Sequence, residues 1–393
     1  MRNTRSPLHT RQARVASAVV LLFVLFLFGP IQAREGQSST IQAAQDGKPV
    51  VGVYYYPWYR QPEPGTLGQW RRVMRLRLAT PQKPKIGLHS SRDPNVVGEH
   101  IAQSVRGGID FWAVSWWGPD QICDDVLRDV ILPHPDAGKL KYAILYESTG
   151  RLGSLRNPHY RHWMDDLAYI EKNYFDHPYY LKIDGCPVVF VYLTRVYFRN
   201  KGQEQLQQMR QRFPRLYLVG DDVFGEGYQS AWAKQFDAIT AYDVYGQSVG
   251  RFGGTRKALA FLADNYQKAR AAAHSVGTAF MPTIAPGYND TAVRQGHPGR
   301  ARYFTDVEGS QEGDIFRAMI RDVAFPNLDP KCDRIMMVTS FNEWYEDTQI
   351  EATSGAAPPS TTDDSDSGTY YTGGDRYVDY EYLYLDILRE AVK

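Results

Sequence analysis

Eight short apolar runs recur along the chain, and each one ends in polar or aromatic residues. Runs of this length are typical of buried strands. The predicted strands are Val50–Tyr56, Asp110–Ser115, Tyr142–Glu147, Pro187–Tyr192, Leu216–Gly220, Ala238–Tyr242, Ala279–Ile284 and Arg334–Phe341. Helical patterns fill most of the gaps, and strands that alternate with helices indicate parallel βαβ units. Eight such units predict an α/β fold consisting of a single (β/α)₈ TIM barrel with long βα loops.

The predicted helices carry start signals and apolar residues at helical spacing. Asn95–Val105 follows Asp93 and Pro94, a cap candidate and a proline suited to a first turn. The other predicted helices are Tyr160–Asn173, Gln203–Arg212, Thr255–Ser275, Glu312–Ala324 and Asp379–Ala391. Gln61–His89 lacks periodicity, and we interpret this long βα loop as a wall of the active site, because barrels keep their chemistry in such loops.

The first 33 residues are interpreted as a secretory signal peptide. Basic residues precede the apolar run Val15–Phe28, and Ile31-Gln32-Ala33 offers a cleavage site before Arg34. The run is shorter than the roughly 20 residues of a membrane span. We therefore predict a lead segment at 34–49, a catalytic domain at 50–393, and a secreted or periplasmic protein without stable membrane insertion. An uncleaved N-terminal anchor is the alternative.

Charge and cysteine content exclude several partners. The 45 basic residues nearly cancel the 44 acidic ones, which gives no electrostatic case for nucleic acid. The cluster Arg75-Leu76-Arg77 is interpreted as a solvated face or loop. The three cysteines, Cys123, Cys186 and Cys332, lack zinc-type spacing. We expect no metal and no cofactor, and the oligomeric state is left open.

The ends of the predicted strands carry the candidate chemistry. If the strands form one barrel, their carboxyl ends converge on a cleft with at least three carboxylates and a wall of Trp and Tyr. Glu343 and Glu346, one helical turn apart, follow the last strand. Two carboxylates held together divide the work of acid and base, and glycoside hydrolysis most often requires such a pair. A solvated pair that caps a helix is the alternative.

Several motifs then resemble a known family. These are Tyr55-Tyr56-Pro57-Trp58-Tyr59, Ser90-Ser91-Arg92-Asp93-Pro94, Ser115-Trp116, His177-Pro178, Pro286-Gly287-Tyr288-Asn289-Asp290-Thr291, Ser340-Phe341-Asn342-Glu343-Trp344, and Glu346 with Thr348-Gln349-Ile350-Glu351. The blocks span most of the chain after the signal peptide. In this order they resemble glycoside hydrolase family 99, the endo-α-1,2-mannosidases and endomannanases, and its family-99-like relatives.

The resemblance implies a retaining endo-acting hydrolase of α-mannosidic or related α-glycosidic linkages in an oligosaccharide or polysaccharide. It implies that Glu343 removes the proton of the substrate's 2-hydroxyl, so that a 1,2-anhydro sugar forms. Glu346 would be the general acid and then the base that activates water. The two pKa values must then be pushed apart. The predicted substrate-binding residues are Glu147, Tyr56, Trp116, Trp117, Tyr192, Tyr242, Tyr288 and Asn342.

Three departures from the family pattern leave the substrate open. Tyr345 stands where the endomannosidases usually have His, and Asp347 stands where they have Gly. The run Asp363-Asp364-Ser365-Asp366-Ser367-Gly368 is also foreign to them, and it lacks the full ligand spacing of a calcium loop.

Three other functions compete with this interpretation. Gly246-Gln247-Ser248-Val249-Gly250 fits a serine-hydrolase elbow but lacks the strand before it and the helix after it. A carbohydrate-binding barrel without turnover would have little use for both Glu343 and Glu346. A retaining mechanism with a covalent intermediate on Glu147 or Glu343 is the alternative within the enzyme class.

Overall fold

The computed structural model describes residues 41–245 and 253–393. The predicted signal peptide and the Gly246–Gly250 motif lie outside these ranges. Within them, ten strands form one sheet, and no described helix is long and apolar enough to cross a membrane. The strands are β1 Val50–Tyr55, β2 Phe111–Trp116, β3 Lys141–Tyr146, β4 Lys182–Ile183, β5 Cys186–Val191, β6 Tyr217–Asp221, β7 Ala238–Thr240, β8 Ala279–Phe280, β9 Thr283–Ile284 and β10 Ile335–Val338.

The sheet closes into a barrel through one interrupted strand. The strand order is β8-β7-β6-β5-β3-β2-β1-β10-β9, and all of these pairs are parallel. Met281 donates its N–H to Ile239 at 2.9 Å, and the carbonyl of Pro282 accepts from Met337 at 2.8 Å. Because β8 and β9 are therefore two halves of the predicted strand Ala279–Ile284, the barrel has the eight strands expected from the sequence. The short β4 pairs antiparallel with β5.

Helices follow the strands around the outside of the barrel. They are α1 Gln42–Gln45, α2 Pro94–Gly107, α3 Ile122–Val126, α4 Ser148–Arg151, α5 Trp163–Ile170, α6 Thr194–Tyr197, α7 Gln203–Arg212, α8 Ser230–Ala233, α9 Arg256–His274, α10 Asp314–Met319 and α11 Leu383–Val392. The segments α3, α5 and α10 continue as π-helical turns at Leu127–Ile131, Glu171–Phe175 and Ile320–Ala324. The six predicted helices are all found.

Local sequence explains how α2 begins and ends. The carboxylate of Asp93 accepts the N–H of Asn95 at 2.9 Å, and Pro94 occupies the first turn. Gly108 ends the helix with φ of +69°, a conformation that glycine adopts without a steric penalty.

Every residue of β1 is buried, because the barrel interior covers one face of the strand and the helices cover the other. Val50 and Tyr54 belong to the cluster inside the barrel, whereas Val51, Val53 and Tyr55 pack toward the helix layer. Successive side chains of a strand point alternately into the barrel and toward the helices. The same alternation applies to the residues that continue each strand at the mouth of the barrel.

Candidate active site

Three carboxyl groups meet at the carboxyl ends of the strands. Glu147 directly follows β3, and Glu343 and Glu346 lie in residues 339–351 after β10, which we call the β10 loop. The hydroxyl of Tyr56 lies among them: burial raises its pKa most, and the charges of Glu147, Glu343 and Glu346 raise it further. The sequence therefore predicted correctly that these strands converge on a cluster of acids.

Glu343 is held by the backbone of its own loop. Its main-chain N–H donates to the hydroxyl of Ser340 at 2.7 Å, and its Oε1 accepts the N–H of Tyr345 at 2.8 Å. The side chain is 3% exposed. Burial first, and then the negative charge of Glu346, raise the pKa of Glu343 well above its ordinary value. The group is a strong base when ionised.

Glu346 has a more polar environment. Its Oε2 accepts the hydroxyl of Tyr242 at 3.0 Å, and its Oε1 lies 3.2 Å from Nη1 of Arg294, which also pairs with Asp290. Burial raises the pKa of Glu346, whereas Arg294 and the Tyr242 hydroxyl act in the opposite direction. Arg294 therefore favours the ionised form in the free protein and opposes the protonation that an acid role requires.

Glu147 is the third carboxyl group of this cluster. Burial raises its pKa to about 8, with a contribution from the charge of Glu346, although the hydrogen bond from Ser115 lowers it. The hydroxyl of Ser115 donates to Oε1 of Glu147 at 2.7 Å. At neutral pH the free protein thus offers an uncharged carboxylic acid beside Glu343 and Glu346.

Aromatic rings form the wall beside these acids. A cavity of about 300 Å³ is lined by Tyr192, Tyr242, Tyr288 and Glu346, among others. The rings of Tyr192 and Tyr242 are 5.3 Å apart and nearly perpendicular. Trp117 is half-buried and donates its indole N–H to Ser115 at 2.9 Å, which places it next to Glu147. These four aromatic residues lie where the sequence analysis expects them.

Trp116 does not reach the cleft. It is fully buried among the helix-side residues, and its indole N–H donates to Asp124 at 2.7 Å. Alternation along β2 sends Phe111 and Ala113 into the barrel and Trp112 and Trp116 toward the helices. The prediction of Trp116 as a substrate-binding residue was therefore wrong. Counting alternate residues along the predicted strand would have separated it from Trp117.

The side chain of Asn342 forms hydrogen bonds with the backbone of the residue that follows β1. Its Oδ1 accepts the N–H of Tyr56 at 2.7 Å, and its Nδ2 donates to the carbonyl of Tyr56 at 3.1 Å. The side chain is fully buried. Asn342 therefore fixes the end of β1 against the β10 loop, and in the free protein its amide does not face the cleft.

Arg294 is the main site residue that the sequence analysis missed. It lies in the irregular segment after β9, so no strand or helix pattern pointed to it. The only sequence signal is the spacing of four residues between Asp290 and Arg294, which form an ion pair.

The long loop after β1 contacts the β10 loop. Gln69 in this loop donates a hydrogen bond to the hydroxyl of Tyr345 at 2.8 Å, which supports its interpretation as a wall of the active site.

Two groups of described side chains bring three candidate metal ligands within 4.8 Å of one another: His89, His100 and Glu351, and Asp120, Asp124 and Asp125. Glu351 accepts hydrogen bonds from Trp344 at 2.7 Å and lies 3.2 Å from His100 Nε2. Asp124 accepts from Trp116 and pairs with an arginine, Arg128. Hydrogen bonds of the first group thus join α2 to the β10 loop, and those of Asp124 join α3 to β2.

A closed parallel barrel with a pair of glutamates in an aromatic cleft at its carboxyl end defines a barrel glycoside hydrolase. Comparison with models of known families identifies the family within this class. The model of glycosyl hydrolase family 99 matches residues 48–364. The chain therefore belongs to glycosyl hydrolase family 99, as the motifs in the sequence indicated.

Relatives and solved structures agree with this family. The chain is 24% identical over 383 residues to a glycoprotein endo-alpha-1,2-mannosidase of Rattus norvegicus, covering 86% of this chain and 73% of the relative. It is 25% identical over 335 residues to a glycoprotein endo-alpha-1,2-mannosidase-like protein of Homo sapiens, covering 76% and 67%. The fold matches a GH99 endo-alpha-mannosidase of Bacteroides thetaiotaomicron with a TM-score of 0.59 at 22% identity, covering 87% and 96%.

Proposed function

We propose that the protein is a retaining endo-acting glycoside hydrolase that cleaves α-mannosidic linkages by way of a 1,2-anhydro sugar. The observation that carries this proposal is the placement of Glu343, Glu346 and Glu147 around the hydroxyl of Tyr56. Family membership and the names of the relatives, endo-alpha-1,2-mannosidases, support the choice of linkage.

In the first step, Glu343 takes the proton of the substrate's 2-hydroxyl while O2 forms a bond to C1. The bond from C1 to the leaving oxygen breaks, and Glu346 gives that oxygen its proton. Glu343 Oε1 is held by the N–H of Tyr345, which leaves Oε2 to receive the proton. Tyr242 and Arg294 orient Glu346 through its two oxygens.

In the second step, Glu346 removes a proton from water, and the water oxygen attacks C1. The bond from C1 to O2 breaks, and Glu343 returns its proton to O2. Both glutamates regain their starting states. Two successive inversions at C1 give net retention of the α configuration.

The stereochemistry of the sugar explains why mannose suits this route. In an α-mannoside, O2 and the leaving oxygen are both axial and lie on opposite faces, so O2 attacks C1 directly behind the departing bond. In an α-glucoside, O2 is equatorial and on the same side as the leaving group. A protein that uses O2 as the nucleophile therefore cleaves α-mannosides and rejects α-glucosides.

The test is hydrolysis of matched α-linked manno- and gluco-oligosaccharides, together with a mannoside that lacks the 2-hydroxyl at the cleavage point. We expect cleavage of the mannosides alone. Glu343→Gln and Glu346→Gln should lower kcat/KM by about 10²- to 10⁴-fold, whereas Glu390→Gln, an exposed glutamate on α11, should not change it. Cleavage of the 2-deoxy substrate, with an ester on Glu147 or Glu343 found by mass spectrometry, would favour the covalent mechanism instead.

A further inference from the structure

A second cavity adjoins the cleft between the segments that follow β5 and β6. It has a volume of about 270 Å³ and is lined by Arg195, Arg199, Glu226, Tyr228, Trp232 and Asp243, among others. We call it the β5–β6 cavity. Asp243 lines both this cavity and the cavity that holds Glu346, so the two cavities are neighbours.

Arg195 gives this cavity unused hydrogen-bond donors. Within the described part of the chain, its guanidinium makes no hydrogen bond, and its ion-pair partner is Asp221, with Nη1 and Oδ2 3.9 Å apart. The side chain is 27% exposed. Nη1 of this guanidinium is buried without a hydrogen-bond partner, which costs free energy. The exposed part of the guanidinium can donate hydrogen bonds to a ligand that carries acceptor oxygens.

The other side of the cavity is aromatic and held in place. The guanidinium carbon of Arg199 lies 3.6 Å from the ring centroid of Trp232, and Arg199 also pairs with Asp222. The ring of Tyr228 meets Trp232 edge-on, with centroids 5.4 Å apart. Arg199 is therefore fixed by two partners, and the cavity combines polar groups with aromatic surface, as ligand sites commonly do.

The charges around the cavity indicate an uncharged ligand. Arg195 and Arg199 are balanced by Glu226 and Asp243 within the lining, and Asp221 and Asp222 lie behind the arginines. An anionic group would meet these carboxylates. A sugar hydroxyl both donates and accepts hydrogen bonds, so it suits a lining in which arginines only donate and carboxylates only accept.

We propose that the β5–β6 cavity is a remote subsite that binds an uncharged sugar residue of the glycan, with Arg195 as its main hydrogen-bond donor. This inference rests on the proposed function, because it assigns the ligand to the same glycan that is cleaved at Glu346. Such a subsite would make the enzyme selective for glycans that are long enough to occupy both the cleft at Glu346 and the β5–β6 cavity.

Titration calorimetry of the full-length Glu343→Gln protein with α-1,2-linked manno-oligosaccharides of two to five units tests this subsite. We expect affinity to rise with length, because the longer probes reach the cavity. Introducing Arg195→Met into the Glu343→Gln protein should lower the affinity for the longest probe by about 10- to 100-fold. This is the loss of affinity expected when hydrogen bonds to a charged group are removed. Arg212→Met, an exposed arginine on α7, is the matched control and should leave the affinities unchanged.

Four results would overturn the subsite: no binding of any probe, no gain with length, an equal gain in the Arg195→Met protein, or a tenfold preference for an oligosaccharide that ends in a uronic acid. Failure of the proposed function has a different signature, since the wild-type protein would then cleave no mannoside while the inactive variant could still show binding that depends on length and on Arg195.

Discussion

Arg294 sets the balance between the two glutamates at the scale of single residues. It divides its charge between Asp290 and Glu346, so its effect on Glu346 is only partial. It is also about half exposed, which weakens the interaction further. A substrate that fills the cleft excludes water and raises the cost of an ionised Glu346, which favours the protonated form needed for the acid role.

Replacing Arg294 by Met should therefore raise the pKa of Glu346. Activity that requires protonated Glu346 is lost as pH rises through this pKa, so the alkaline limb of the kcat/KM profile should move to higher pH. Arg294→Lys keeps the charge and is the control. An alkaline limb that stays in place or moves to lower pH would contradict the assignment of Glu346 as the acid.

Glu147 permits a second prediction at this scale. Because burial raises its pKa to about 8, Glu147 carries a proton at pH 6, and glutamine imitates that form in shape and charge. Glu147→Gln should retain kcat/KM at pH 6 within about tenfold, whereas Glu147→Ala removes the polar contact and should lose considerably more. Equal losses in both variants at pH 6 would show that the ionised form is the one required.

At the scale of elements, the β10 loop is held from several sides. Asn342 joins it to β1, Glu351 joins it to α2 through His100, and Asp347 pairs with Arg75 and Arg302. Asp347 has φ of +50°, a left-handed conformation that favours glycine and that other residues adopt at a steric cost. Here the aspartate accepts that conformation and gains two buried ion pairs.

Asp347→Asn should destabilise the protein by about 3 kcal/mol, because it leaves two buried arginines short of negative charge. Burial alone would raise the pKa of Asp347, but the charges of Arg302 and Arg75 outweigh it and the pKa is lowered. Its contribution is therefore complete above its ordinary pKa of about 4 and is lost as pH falls through the folded value. Urea unfolding should show a difference from wild type that is full at pH 7 and shrinks below pH 4; a difference independent of pH would contradict this.

Sequence patterns predicted strands and helices better than loops. Strands buried on both faces read as continuous apolar runs, so all eight were found, and the seventh is divided where Pro282 lacks an N–H for the sheet. Loops have no periodicity. Arg75, interpreted from its basic neighbours as solvated, is 1% exposed because it pairs with Asp347, and that pairing depends on residues far apart in the sequence.

At the scale of the whole molecule, the barrel explains why the site could be predicted at all. Residues beyond the carboxyl ends of β3, β5, β7 and β10 meet at one end of the barrel, so Glu147, Tyr192, Tyr242 and Glu343 come together although they are distant in sequence. Two other factors decide which further residues reach the site. Alternation along β2 directs Trp116 away from the cleft and leaves Trp117 beside it, and contacts within the loops bring Arg294 to Glu346.

We propose that the protein is exported, because its first 33 residues have the pattern of a signal peptide. Expression of the full chain in a bacterial host should give a secreted or periplasmic product that begins at Arg34. N-terminal sequencing of this product is the measurement. A product found only in membranes with Met1 intact would support the uncleaved anchor instead.

The anomeric form of the first product tests whether Glu343 and Glu346 act together in a retaining reaction. Proton NMR during cleavage of an α-1,2-linked manno-oligosaccharide should show the α anomer of the new reducing end appearing first, with the β anomer following only as the product mutarotates. Glu343→Gln should give neither within the same time. Initial formation of the β anomer, or undiminished cleavage by Glu343→Gln, would contradict the mechanism.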